Sequence, residues 1–215
     1  LAAKTIWIPN YIEPNPKGVA SLDSTKIIAI GRLEKIKDHQ SLIHAFAKVR
    51  GIHPDWSLDI FGEGNLREEL RALISRLGLD GAVRLAGYDR DIALRLTEAA
   101  IHVQPSVDEG FSRALAEGMG TGLPSIVFNN CPGSNELIVD GENGLLVDPS
   151  DRVGNLAEAM VKLIGDKKLR ARMGAAALAQ AESGVYSRGN VYDRWARLVD
   201  SLMRPGRFDP ATLDD

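Results

Sequence analysis

The sequence has one cysteine, few aromatic residues (6%) and no excess of positive charge. Cys131 alone cannot close an internal disulfide, so a reducing, cytoplasmic setting is expected rather than a disulfide-stapled fold. Lys and Arg number 26 against 29 Asp and Glu, for a net charge of −3. A nucleic-acid partner selects a basic surface, so that class is set aside. No apolar run reaches the ~18 residues of a membrane-spanning helix. The four histidines (His39, His44, His53 and His102) lie at no metal-ligand or triad spacing. What remains is ordinary globular composition, 44% hydrophobic and 26% charged. A chain this long can bury roughly 70% of its surface without a metal or a disulfide to hold it. It opens on Leu1 rather than Met, and is expected to be a piece of a longer polypeptide.

Hydrophobic period organises the chain. Thr5–Ile8 is β-prone, and then Pro9, Pro14, Pro16 and Gly18 exclude both a helix and a central strand. Residues 1–23 therefore read as a linker or domain junction. Short β-branched runs follow at Lys26–Ile30, Trp56–Phe61, Val83–Ala86, Ile101–Gln104, Ser125–Phe128 and Leu145–Val147. Between them lie helical stripes at Asp38–Arg50, Asn65–Leu77, Asp89–Ala100 and Phe111–Gly120. Helical patterns alone fill Val153–Ile164, Lys167–Ser183 and Ser187–Met203, and residues 204–215 read as a disordered tail. Six strands alternating with helices predict a doubly wound, parallel, six-stranded α/β sheet of the Rossmann type over residues 24–185. A helix over residues 186–203 closes the chain. Sheets of this kind bind ligands at the carboxyl ends of their strands, so the strand-to-helix turns carry the functional signal.

Two turns stand out. The first, Gly31-Arg32-Leu33-Glu34-Lys35-Ile36-Lys37-Asp38, offers three cations beside a helix N-terminus, which suits an anion such as a diphosphate. The plain alternative is a solvated turn. The other turn follows the fourth strand and contains Glu109, Gly110, Phe111 and Ser112, with Glu117 nearly two helical turns further on. Its small residues leave backbone N–H groups open to a phosphate, and its carboxylates are suited to accept hydrogen bonds from sugar hydroxyls. Alternatively, Glu109 favours the helix N-terminus and Glu117 pairs with Arg113 at i, i+4. Two other patterns are decoys. Gly62-Glu63-Gly64 has Arg67 in the third glycine slot of a dinucleotide fingerprint, which argues against NAD. Asp89-Arg90-Asp91 opens a helix, where aspartates are expected as caps rather than as metal ligands.

These turns together resemble the retaining glycosyltransferases of family 4, which have the GT-B fold. Gly31-Arg32-Leu33 with Lys37 resembles their G-R-L…K motif, and Glu109 through Glu117 resembles their E-x7-E motif. Ile8-Pro9-Asn10, Ile60–Gly64, Val83–Gly87, Thr121–Ser125, Gly133–Glu136 and Asp140–Val147 match further family segments. The resemblance implies the carboxy-terminal, donor-binding half of such an enzyme. Arg32 and Lys37 then hold the donor's diphosphate. Glu109 contacts the sugar, the backbone of Gly110, Phe111 and Ser112 lies over sugar and phosphates, and Glu117 reads the ribose. Gly31 and Tyr88 complete the donor site, with Gly87–Tyr88 beside the nucleobase. Arg32, Lys37 and Glu109 are the residues assigned to catalysis.

The implied reaction transfers a hexosyl unit from a UDP-, GDP- or ADP-sugar with retention of configuration. It needs no cofactor and no metal, because the two cations and the helix amides meet the charge on the leaving diphosphate. The family's acceptor site lies in a separate amino-terminal domain. The chain alone is therefore expected to bind nucleotide and transfer little or no sugar. The resemblance also allows the whole protein a peripheral place at the inner face of a membrane. Departures from the pattern are Tyr11 in place of glycine after Ile8-Pro9-Asn10, Asp38 where glycine is common, and Ser112-Arg113 where Gly-Leu is frequent. The rival readings are a nucleotide-sugar epimerase or phosphorylase-like enzyme of the same fold, and a non-catalytic nucleotide-binding module. An epimerase would need its own acid/base pair here, and none stands out. A dead relative should have lost one of Arg32, Lys37, Glu109 and Glu117, and all four are present.

Overall fold

The computed structural model describes residues 6–203. Six strands, β1 (Lys26–Ile30), β2 (Ser57–Phe61), β3 (Val83–Gly87), β4 (Ile101–Gln104), β5 (Ser125–Phe128) and β6 (Gly144–Val147), form one sheet ordered β3-β2-β1-β4-β5-β6. Every neighbouring pair is parallel. The chain winds outward from β1 to β3, then returns to start β4 on the other side of β1. The reversal opens a crevice at the carboxyl ends of β1 and β4, where an α/β sheet of this order takes its ligands.

The helices are α1 (His39–Ile52), α2 (Arg67–Arg76), α3 (Ile92–Thr97), α4 (Arg113–Gly120), α5 (Pro132–Asn135), α6 (Arg152–Gly165), α7 (Lys167–Ser183) and α8 (Arg188–Met203). Leu42, Phe46 and Val49 of α1, Leu70 and Leu73 of α2, and Leu156, Met160 and Leu163 of α6 form one core with Ile27, Ile101 and Phe128 of the sheet. Leu115 and Met119 of α4 meet Val127 of β5 and Ala177 of α7 on the opposite face. The strands divide their side chains accordingly: Ile27 and Ala29 face the first core, and Ile28 packs with Leu96 and Leu123. Each such Leu, Ile or Phe, fully buried, contributes ~1.5–3 kcal/mol against the entropy of ordering the chain.

Several boundaries differ from the sequence expectation. The helix expected over Asp89–Ala100 shortens to α3, because Asp91 caps it through Leu94 N and Asp89 instead pairs with Arg95 at 2.9 Å. The helix expected from Phe111 starts at Arg113, with the Ser112 hydroxyl as its cap. Ile6–Ile8 form no strand, and Thr5 lies outside the described residues, as does the expected tail at 204–215. The four-residue α5 has no counterpart in the apolar period of the sequence. The stretch read as a linker is built into the domain from Ile12 onward. Ile12, Ala20 and Leu22 are buried, and Asn15 Nδ2 donates to both Ala93 O and Thr121 Oγ1 at 2.8 Å. Polar and proline-rich composition reports backbone conformation, and a segment laid across helix ends needs little else.

Candidate functional site

The turn after β1 is held from below by the turn after β2. Gly62, at φ +138°, packs so closely that a Cβ there would lie 2.0 Å from the Gly31 carbonyl oxygen. Leu33 N donates to Glu63 O at 2.9 Å, and Leu66 N donates to Leu33 O at 3.0 Å. The Gly62-Glu63-Gly64 decoy is thus a support for the cation-bearing turn. Within that turn the buried His39 ring places Nε2 3.3 Å from Gly31 O. Burial lowers its pKa to about 4, so the ring is neutral at physiological pH. Asp38 then caps α1 by accepting from Ser41 N.

The turn after β4 is held against the first. Val107 N donates to Ile36 O at 2.8 Å, and the backbone after Ser106 is pinned to α5 by Gly133 N donating to Glu109 O at 2.9 Å. A Cβ on Gly133 would lie 2.3 Å from Glu109 O and 2.4 Å from Gly110 O, so only glycine allows that approach. Ser112 caps α4, and by helix geometry the N–H groups of Arg113 and Ala114 in its first turn lack intrahelical acceptors.

These constraints bring two of the sequence-selected residues into contact. Lys37 Nζ lies 2.5 Å from Glu109 Oε1, with the two side chains only 17% and 11% exposed. The same oxygen accepts from Ser106 Oγ at 2.7 Å and from Gln104 Nε2 at 2.9 Å. With three donors on one oxygen the carboxylate is fixed in orientation. Its other oxygen, Oε2, has no hydrogen-bond partner among the described residues. Sequence reading missed Gln104 and Ser106. A glutamine closing an otherwise buried strand is a readable signal, because a buried amide must find partners.

The remaining selected residues are less concentrated. The Arg32 side chain is 70% exposed and pairs with Glu34 at 2.8 Å rather than with Glu109. Tyr88 is 77% exposed on the turn after β3. Gly110, Phe111 and Ser112 follow Glu109 into α4. Glu117 sits on α4, and partial burial pushes its carboxyl above the usual range while Arg113 opposes the shift. That ion pair is long, 3.8 Å, and Arg113 is almost fully exposed, so it leaves Glu117 largely free for other donors. A cavity of about 690 Å³ opens beside Glu117, between Asn10–Pro16, Ile92, Leu96, Phe111 and Arg113. It adjoins the E-x7-E segment but does not reach Gly31, Lys37 or Glu109. This hollow, lined by Ile92, Leu96 and Phe111 together with Glu13, Arg113 and Glu117, lies apart from the Lys37–Glu109 contact.

Known proteins share this fold and part of this sequence. The sequence profile of glycosyl transferases group 1 matches residues 13–180. An exopolysaccharide phosphotransferase of Streptomyces coelicolor is 35% identical over 213 residues, which is 99% of this chain and 22% of that protein. A 4-alpha-N-acetylgalactosaminyltransferase of Campylobacter jejuni is 35% identical over 144 residues, 67% of this chain and 38% of its own length. Among solved structures, Anabaena HepE in complex with UDP-glucose superposes with a TM-score of 0.75 at 26% identity, covering 83% of this chain and 49% of that one. The GtfA/B complex gives a TM-score of 0.80 at 26% identity, covering 91% of this chain and 39% of that one. The chain thus spans well under two thirds of these proteins. With its sheet order and a profile match over residues 13–180, the chain belongs to the glycosyl transferases group 1 family.

Proposed function

We propose that this chain is the donor-binding domain of a retaining, family 4 hexosyltransferase and holds a nucleotide-diphosphate sugar at the carboxyl ends of β1 and β4. The observation that carries the reading is the Lys37–Glu109 contact, which joins the cation turn to the sugar-reading turn at the switch point of the sheet. Lys37, Arg32 and the first-turn amides of α4 would meet the charge that grows on the diphosphate as the glycosidic bond breaks. Stabilisation of that kind lowers the barrier because it strengthens in the transition state. Glu109, fixed by three donors, would hold a sugar hydroxyl through its second oxygen. Glu117 would take the ribose hydroxyls, with the nucleoside in the hollow beside it. The acceptor site, on this reading, belongs to another domain of the whole protein.

Titration calorimetry with UDP, GDP and ADP tests the reading. Lys37→Ala and Arg32→Ala should each weaken the preferred nucleotide roughly tenfold or more, the effect of losing a charge-assisted hydrogen bond. Unchanged affinity in both variants would remove the diphosphate assignment. One observation favours a second reading, a nucleotide-binding module without catalysis of its own. The relative that matches 99% of this chain is named a phosphotransferase, and this chain corresponds to 22% of it. Sugar transfer by the whole protein that is lost in Glu109→Gln, with UDP affinity retained, separates the two.

A further inference from the structure

One half-buried ion pair beside the crevice joins the cation-bearing turn to a residue outside every sequence motif. Arg152, the first residue of α6, is 114 positions from Asp38, yet its Nε donates to Asp38 Oδ2 at 2.6 Å. Another guanidinium nitrogen donates to the Pro105 carbonyl at 2.6 Å. The guanidinium centre lies 3.7 Å from the centroid of the Phe128 ring, which fixes its plane. The Arg152 and Asp38 side chains are 21% and 16% exposed, so water competes little for the pair.

The two acceptors are placed informatively. Asp38 directly follows Lys37, and Pro105 directly precedes Ser106, whose hydroxyl donates to Glu109. One side chain therefore ties together the turns that bear Lys37 and Glu109. The backbone link between these turns is the bond from Val107 N to Ile36 O, and the long Lys37 side chain spans them to Glu109. One backbone bond and an ammonium on a flexible stem leave the turns room to pivot, and a rigid planar fork reaching both turns restricts that motion. Asp38 also needs restraint, because its backbone sits in the left-handed region at φ +47°, which favours glycine. Asp38 both caps α1 with Oδ1 and receives Arg152 on Oδ2, so the strained residue is held from two sides.

We propose that Arg152 is a positioning residue that, through Asp38 and the Pro105 carbonyl, holds Lys37 against Glu109 and so sets the diphosphate site. The proposal rests on the donor-site reading above, and the experiment separates their failures. UDP affinity is measured by calorimetry, well below the melting temperature, for wild type, Asp38→Asn, Arg152→Met, the double variant, Arg152→Lys, Lys37→Ala and Arg32→Ala. Asparagine keeps the cap on Ser41 and tolerates a left-handed backbone, so Asp38→Asn removes mainly the charge pairing. Asp38→Asn and Arg152→Met should each weaken UDP roughly tenfold, since small misplacements of a positioned group carry large costs. The double variant should be no weaker than the weaker single variant, because both remove one fastener. Arg152→Lys should recover only part of the affinity, as an ammonium cannot span both acceptors in a planar fork. Lower melting temperatures with wild-type UDP affinity in Asp38→Asn and Arg152→Met would overturn the positioning role. If Arg152→Met fails to fold, UDP affinity in Asp38→Asn decides by itself. If Lys37→Ala and Arg32→Ala also leave UDP affinity unchanged, the diphosphate reading itself fails; if Lys37→Ala loses affinity while Asp38→Asn and Arg152→Met do not, only the positioning role fails.

Discussion

At the scale of single residues, two buried histidines make the domain sensitive to acid. His39 is 2% exposed and His102 fully buried, and burial lowers both imidazoles to about 4. In the unfolded chain they titrate near the ordinary value, ~6.5. Between pH ~6.5 and 4 the unfolded state therefore binds more protons, and stability falls as pH falls through that window. The loss should be about 2 kcal/mol per histidine by pH 5, and close to none above pH 7. Urea midpoints from pH 7.5 to 5 check this, and His102→Gln should remove about half of the slope. A flat series would mean that neither ring is held neutral. Glu117→Gln belongs to the same scale. It should weaken UDP roughly tenfold while leaving inorganic pyrophosphate binding unchanged, because the lost acceptor serves hydroxyls rather than phosphates. Equal losses for both ligands would refute a ribose role.

At the scale of elements, two contacts divide stability from ligand binding. Arg170 of α7 is buried and its guanidinium donates to Leu163 O at 2.7 Å, Ile164 O at 2.9 Å and Leu22 O at 3.3 Å. It closes the carboxyl end of α6 with a positive charge, where the helix dipole favours one. Arg170→Met strands those carbonyls and should cost about 3 kcal/mol. In a domain of this length that is a fall in melting temperature of roughly 6–12 °C. UDP affinity should stay at its wild-type value, because Arg170 touches neither turn of the crevice. Gly133→Ala should do the reverse. Its Cβ would push the backbone of Glu109 and Gly110, so UDP-sugar affinity should fall roughly tenfold with a smaller loss of melting temperature. Scanning calorimetry beside ligand titration distinguishes the two patterns. The elements themselves were legible where apolar period and turn chemistry agree. Leu66, Leu70, Leu73, Ile74 and Leu77 mark α2, and Gly78 follows at φ +66°, as a helix-ending glycine does. The four-residue α5 was not legible, since it is too short to show a helical period.

At the scale of the whole molecule, one face remains apolar and open. The stripe Val191, Trp195, Leu198 and Leu202 on α8 resembles, in sequence, the face of a terminal helix that crosses back to another domain, with ordinary core as the plain alternative. Of these only Val191 is buried, while Trp195 is 50% and Leu202 66% exposed. Trp7 and Tyr11 lie at the same end of the domain, edge-on to Tyr186 and Tyr192. Among the described residues no helix is long and apolar enough to cross a membrane. As an isolated polypeptide, these 215 residues are expected to bind a nucleoside diphosphate and to transfer little or no sugar. Radiolabelled UDP-sugar assays on this polypeptide check that, and turnover at the rate of an intact transferase would contradict it.

The sequence by itself determined the class of sheet, the places of its six strands, and the two turns that carry Lys37 and Glu109. Each of those signals is local: a period of 2 or 3.6, a capping residue, a glycine, or a short motif within about fifteen residues. Only the tertiary structure decided that Lys37 meets Glu109 while Arg32 turns outward to Glu34. Only there do Gln104 and Ser106 join the Glu109 carboxylate, and Arg152 reach Asp38. Those contacts link residues on different strands and helices, so they depend on the strand order and on side-chain packing between layers. Neither leaves a spacing that can be read along the chain.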